Sequence, residues 1–366
     1  MVKGFAMQPQ PVYEINEQVQ PNQKLARLAP KKATVTKENL VGPYVAMFDA
    51  YNYSNSTMSA VDPFYCGKGI ELTAGEGDTL LMPNLLSSSG ADIKLVFNAD
   101  DQTLTIPQQV VYTSSSYGDC YFYEASSTKT PITLTIGDGS IYSKYYVNMV
   151  IASGDYAGYR LGYYYTLALY SANGYIEAFS GYDKATSQWP VLVDQDESTN
   201  DIIVYNFANG EMADTMVYQG SAKWNIGFDP VIDFTTTYGD FYPYSAEVVE
   251  EEGSYNFTLN EDSTIVARGV TTQEIDWDGW ALYSKSWNNT NAKNYYYDYF
   301  TNGKLVLVNE EFTDVKDITD GLNDRDIVAK TYFNLAGVES ATPFDGVNIV
   351  VTTFSDGTKK AVKVLK

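Results

Sequence analysis

Apolar and polar positions alternate with a period of two over short stretches of this chain. Ile93, Leu95 and Phe97 interleave with Asp92, Lys94, Val96 and Asn98, and Trp224, Ile226 and Phe228 interleave with Lys223, Asn225 and Gly227. A strand turns successive side chains to opposite faces, so this pattern predicts half-buried antiparallel strands with one face on a core. Turn-forming stretches keep the strands short: Gly75-Glu76-Gly77-Asp78, Asn98-Ala99-Asp100-Asp101, Gly137-Asp138-Gly139, Ala172-Asn173-Gly174, Asn209-Gly210 and Asn302-Gly303. No long amphipathic helix is evident, and no run of about 18 apolar residues offers a membrane-spanning helix. The expected fold is all-β, built of antiparallel β-sandwich or β-barrel-like domains.

The pattern repeats. Tyr117-Gly118-Asp119-Cys120-Tyr121-Phe122-Tyr123 recurs 121 residues later as Tyr238-Gly239-Asp240-Phe241-Tyr242-Pro243-Tyr244. Upstream, Leu104-Thr105-Ile106 matches Trp224-Asn225-Ile226, and the stretch ending Asn84-Leu85 matches the one ending Asn206-Phe207. Landmarks in one order at a nearly constant offset indicate an internal duplication of domain size. Two tandem β-domains are therefore expected, at 37–169 and 170–312. An N-terminal arm (1–36) precedes them. An acidic linker (313–326) and a small C-terminal β-domain (327–366) follow. The arm is rich in Gln, Pro, Asn and Lys and has no clear period, so it reads as flexible or extended. Val12, Tyr13 and Ile15 suggest a strand that a neighbouring copy could accept, as in fibres.

The end of the chain carries a resemblance. Tyr332-Phe333-Asn334-Leu335-Ala336-Gly337-Val338 is followed by Gly346-Val347-Asn348-Ile349-Val350-Val351, then by Asp356-Gly357 and the alternating run Lys359 to Lys366. Alternation around Asp-Gly predicts a β-hairpin. The tail resembles the C-terminal sorting domain of type IX secretion cargo. The tandem layout is similar to exported Bacteroidota repeat proteins with lipocalin-like or sandwich modules. The resemblance implies an extracellular or outer-surface location, reached through a cleaved signal peptide that this chain lacks. It implies no activity.

Composition narrows the chemistry. Lys plus Arg number 24 against 46 Asp plus Glu, a formal charge of −22, which repels nucleic-acid phosphate and anionic lipid. There are 32 Tyr and no His. Without His, a Ser-His-Asp triad, a Cys-His dyad and a His-ligated zinc site are excluded. Cys66 and Cys120 allow one disulfide in an exported chain, or two buried thiols.

Candidate sites follow from residue type. Tyr117, Asp119, Tyr238 and Asp240 read as a duplicated ligand loop or as duplicated strand-turn structure. Trp277, Trp280 and Trp287, with the nearby tyrosines, and Tyr142, Tyr145, Tyr146, Tyr156, Tyr159, Tyr163, Tyr164 and Tyr165 in the first copy, are the aromatic clusters. Exposed rings beside Asp and Asn suit carbohydrate, although tyrosines on strands also pack sheets. Asp194, Asp196, Asn200 and Asp201, and the acids of 317–326, suggest calcium as the one cofactor; no catalytic residue and no other cofactor are assigned.

The expected function is a non-enzymatic secreted or cell-surface protein in adhesion or extracellular assembly. The alternative is a carbohydrate-binding surface protein, and an acid-pair glycoside hydrolase is the enzyme route open without His. Expected partners are a second copy, a host or bacterial surface protein, or a glycan.

Overall fold

Strand alternation is carried through as burial. Ile93, Leu95 and Phe97 are buried while Lys94, Val96 and Asn98 face solvent, so period two alone orients this strand. The computed structural model describes residues 8–30, 35–54, 57–60, 68–86, 90–127, 129–137, 139–209, 213–227, 233–235, 239–251, 254–284, 296–310, 312, 327–333, 339–340, 342, 344, 347–354 and 359–365. The chain forms two compact units, Met1–Phe312 and Thr313–Lys366. The all-β expectation holds: the helices are short, α1 (Gln23–Leu28) and α2 (Lys37–Leu40).

The first half of the larger unit contains β1 (Pro9–Gln10), β2 (Gly42–Met47), β3 (Ala50–Ser54), β4 (Thr57–Ala60), β5 (Lys68–Ala74), β6 (Thr79–Met82), β7 (Ile93–Asn98), β8 (Thr103–Ile106), β9 (Tyr112–Ser114), β10 (Gly118–Glu124), β11 (Ile132–Gly137), β12 (Ser140–Ser143), β13 (Val147–Ile151), β14 (Arg160–Tyr165) and β15 (Ala168–Ser171). Strands β2, β5, β6, β7, β8, β11, β12 and β15 pair in chain order and close into an antiparallel barrel. Three excursions leave it and build a side sheet in the order β4-β3-β14-β13-β10-β9. Leu72, Leu80, Leu95, Leu104, Leu134 and Leu169 are fully buried in the core, so aliphatic side chains fill this barrel.

The second half contains β16 (Gly174–Ser180), β17 (Ala185–Gln195), β18 (Ile202–Tyr205), β19 (Ala213–Tyr218), β20 (Lys223–Ile226), β21 (Asp233–Thr235), β22 (Gly239–Glu251), β23 (Ser254–Leu259), β24 (Ile265–Thr271), β25 (Glu274–Trp277), β26 (Trp280–Ser284) and β27 (Tyr296–Leu307). Its sheet runs β16-β17-β18-β19-β20-β24-β25-β27, and β27 pairs back onto β16, which closes a second ring of eight. Its side sheet has the same order as the first, with continuous strands replacing pairs. The outer ends of β17, β16 and β27 stand where β4, β3 and β14 stand, followed by β26, β22 and β21. The repeated Tyr-Gly-Asp stretch falls at one register in both copies: Gly118 pairs with Ser114 on β9, and Gly239 pairs with Thr235 on β21. Gly118 has φ +80°, a left-handed backbone that glycine adopts without steric cost as the hairpin turn enters β10.

Strand pairing divides at Ala172, but packing does not. Strand β17 packs on β2 and β5, and Leu192 joins Val45, Ala168 and Tyr170 in one apolar cluster. Gly69 is needed there, since a Cβ would lie 2.8 Å from Pro190 Cδ.

Of the flexible or extended arm expected at 1–36, residues 8–30 are among those described. They run along the first half of their own chain. β1 pairs with β14, the Ile15 N–H donates to the Ala125 carbonyl at 2.8 Å, and the Val19 N–H donates to the Lys144 carbonyl at 2.8 Å. Ile15 is buried with Ala125, Tyr146 and Tyr164. Asn22 caps α1, its Oδ1 accepting the N–H groups of Lys24 and Leu25 at 3.0 and 3.3 Å. Apolar contact, absent from the polar composition count, comes from a few well-spaced residues: Ile15, Leu25, Ala26 and Ala29.

The smaller unit is an antiparallel sheet, β29-β28-β30-β31, of β28 (Ile327–Phe333), β29 (Glu339–Ser340), β30 (Val347–Phe354) and β31 (Lys359–Leu365). The hairpin predicted around Asp356-Gly357 is present as the β30–β31 pairing, from Val347↔Leu365 to Thr353↔Lys359. Asp356-Gly357 itself and the acidic linker 313–326 lie outside the described residues.

Candidate functional site

The side sheet of the first half presents a tyrosine ladder, half-buried at Tyr117 and exposed at Tyr156 and Tyr159. The hairpin β9–β10 places Tyr117 at its turn. The connection from β13 to β14 carries Tyr156 and Tyr159, and two left-handed glycines, Gly154 and Gly158 (both φ +84°), fold it back on itself. The Gly158 N–H donates to the Ile151 carbonyl at 2.9 Å, and the Ala152 N–H donates to the Asp119 carbonyl at 2.8 Å, tying loop to hairpin. The rings of Tyr117 and Tyr156 meet edge to face at 5.4 Å, and those of Tyr156 and Tyr159 at 5.8 Å. Tyr156 and Tyr159 are 46% and 42% exposed. Large rings held at that exposure offer apolar faces to a ligand.

Polar groups border the ladder. Asp119 is exposed, and its Oδ1 accepts the Thr113 hydroxyl at 2.7 Å. The Tyr117 hydroxyl donates to Gln8 Oε1 at 3.1 Å. Along β10, Tyr121 and Tyr123 are half-buried on the same side as Asp119, with rings 6.4 Å apart, while Cys120 and Phe122 point into the core. The second copy repeats the row as Asp240, Tyr242 and Tyr244, half-buried on β22, and the Tyr244 ring lies 5.2 Å from Tyr283. The described residues of the second half thus carry the same aromatic strand face as the first.

Other expected site residues are placed differently. Trp277 and Trp280, expected as ligand platforms, are 3% and 0% exposed, which corrects that reading. Trp280 stacks on Phe300 at 4.4 Å, and Trp277 stacks on Phe207 at 5.7 Å. Period two places Trp277 and Ile275 on the inner face of β25, and Gly303 leaves room for the indole. Trp287, Tyr238 and Cys66 lie outside the described residues. Cys120 is a free, buried thiol whose Sγ donates to the Gly118 carbonyl at 3.7 Å. Burial, with the Asp119 charge adding to it, pushes its pKa up to about 11, so it is a protonated core group at neutral pH.

The carboxylates proposed for calcium are engaged in local structure. Asp194 pairs with Lys24 at 2.8 Å, and Asp201 accepts the Tyr218 N–H at 2.7 Å. Asp196 accepts the hydroxyl and N–H of Ser198 and the N–H of Thr199, bonds that lower its pKa. Among the described residues no three acidic or cysteine side chains converge on one point.

A second concavity was not legible in the sequence. A cleft of about 640 Å³ opens between residues 18–22 and the first half's barrel. Tyr51, Tyr142, Tyr146, Tyr170 and Tyr205 line it, with Asp49 among them. Density of tyrosine flagged Tyr142 and Tyr146, but Tyr51, Tyr170 and Tyr205 come together only through barrel closure and the packing of the two halves. No helix among the described residues is long and apolar enough to cross a membrane. Comparison with family models, with curated proteins and with solved structures finds no match to this chain.

Proposed function

We propose that this chain is a non-catalytic recognition protein of the cell exterior, acting in adhesion by holding carbohydrate on the ladder Tyr117–Tyr156–Tyr159. The observation that carries the reading is the exposure of Tyr156 and Tyr159 in an edge-to-face ladder beside Asp119. A pyranose has one apolar face and a rim of hydroxyls, so it matches a flat ring flanked by a carboxylate and serine or threonine hydroxyls. The exterior location is supported by the sorting-like tail. The acidic surface and the lack of histidine favour binding over chemistry. The same strand row in the second half provides a second contact surface, and two weak sites on one compact unit raise avidity.

Retention on immobilised polysaccharides tests this. Tyr156→Ala and Tyr159→Ala together should abolish retention while leaving the melting temperature within about 1–2 °C, since both rings are solvent-facing. Wild-type protein that passes every polysaccharide unretained, or a double variant retained like wild type, would remove the reading.

A further inference from the structure

The tyrosine cleft beneath the N-terminal segment has a charge character unlike that of the exposed ladder. Asp49 opens into it with the Thr166 hydroxyl, 3.5 Å away, as its side-chain partner and no basic residue against it. Among the described residues no Lys or Arg lines the cleft. Lys24, on α1, reaches Tyr205 but is already paired with Asp194 at 2.8 Å. Glu17, on the covering segment, adds a second negative field that reaches both Tyr51 and Tyr146. The rings of Tyr51 and Tyr146 meet edge to face at 5.3 Å and form one aromatic wall.

Each of these features points to the same ligand chemistry. Aromatic faces carry negative quadrupole density and attract cations, most strongly where water is excluded. Asp49 is solvent-exposed and borders the cleft, so its carboxylate attracts a cation that the tyrosine rings can also hold. A cleft of about 640 Å³ matches a small molecule better than a polymer chain. A neutral sugar would make no use of the Asp49 charge, and an anion would be repelled.

We propose that this cleft binds a small organic cation, with an alkylammonium group seated against the tyrosine rings and its charge facing Asp49. The N-terminal segment supplies one wall through Gln18, Val19 and Asn22, so the site exists only while that segment is docked. The proposal does not depend on carbohydrate binding at the ladder, which shares none of these residues.

Calorimetric titration of the full chain tests it, using choline and its uncharged isostere 3,3-dimethylbutan-1-ol. Choline should bind, and the isostere should bind at least about tenfold more weakly, because the two differ in charge and not in shape. Asp49→Asn should weaken choline about tenfold and reduce the salt dependence of binding. A third arm with Nα-acetyl-lysine methylamide distinguishes a free amine from a lysine side chain as the source of the cation. Equal affinity for choline and the isostere, or no heat with any of the cations, would overturn the proposal. The comparison on wild-type protein remains decisive even if the Asp49 variant fails to fold.

Discussion

One hydroxyl satisfies both backbone groups of Tyr13: Tyr164 Oη accepts its N–H at 2.7 Å and donates to its carbonyl at 3.0 Å. Tyr164 is fully buried, and the guanidinium of Arg160 lies over its ring, 4.4 Å from the centroid. The N-terminal segment is therefore fastened by a core side chain and not only by its own apolar residues. Tyr164→Phe keeps the ring and removes both bonds, leaving the Tyr13 backbone groups without them. The expected cost is about 1–3 kcal/mol. Cleavage within residues 8–30 by a nonspecific protease should become faster than in wild type. Unchanged cleavage and an unchanged melt would show that the apolar contacts alone hold the segment.

Gly139 gives a second handle on the same segment. Its φ is +72°, and a Cβ there would stand 2.5 Å from the Ala26 carbonyl oxygen, so α1 rests directly on this glycine. Gly139→Ala combines backbone strain with displacement of α1. It should destabilise the chain by roughly 1–3 kcal/mol and expose the segment to protease. Because α1 residue Leu25 also lines the tyrosine cleft, the same variant should weaken choline binding. A variant that is destabilised yet binds choline normally would uncouple the segment from the cleft.

The buried tryptophans predict the opposite behaviour from the ladder tyrosines. Trp280 is fully buried between Phe207 and Phe300, and Trp277 covers Gly303, where a Cβ would fall 2.1 Å from the indole nitrogen. Trp280→Ala should cost about 3–5 kcal/mol through lost burial and the cavity left behind. A denaturation midpoint within error of wild type would show that the indole is not part of the core. Any loss of polysaccharide retention in this variant should follow loss of fold and vanish under conditions where the protein remains native.

These contrasts show what a sequence reading can reach. Ile93, Leu95 and Phe97 define their own strand because alternation is local, and the shared register of Gly118 and Gly239 follows from a repeated local hairpin. Tyr117, Asp119, Tyr156 and Tyr159 were visible as residue types, but which rings reach solvent depends on a loop folded by Gly154 and Gly158. Trp277 and Trp280 share the composition of a sugar platform and differ from one only in facing inward. The pairing of β16 with β27 joins residues more than 100 positions apart, and no local pattern marks it. The cleft is similarly nonlocal, since Asp49, Tyr142 and Tyr205 meet only after the first barrel closes and the second packs on it.

Asp214 supplies a pH-dependent prediction independent of any ligand. It points inward from β19, is 2% exposed, and its Oδ2 has no hydrogen-bond partner, while Oδ1 accepts the Thr215 N–H at 2.6 Å. Burial outweighs that bond and pushes its pKa up to about 7, from a model-peptide value of about 3.9. Between these values the folded chain holds a proton that the unfolded chain has released, so the contribution to stability declines as pH rises. It is fully present below about pH 4 and lost by about pH 7, with an amplitude on the order of 4 kcal/mol. Asp214→Asn keeps an oxygen for Thr215 and cannot ionise. In urea unfolding at pH 5 and pH 8, the variant should gain stability over wild type as pH rises, and the difference between the two proteins should level off above pH 7. A wild-type-minus-variant difference that is flat across this range would mean that the Asp214 carboxyl is hydrated when ionised and that the second barrel admits water at β19.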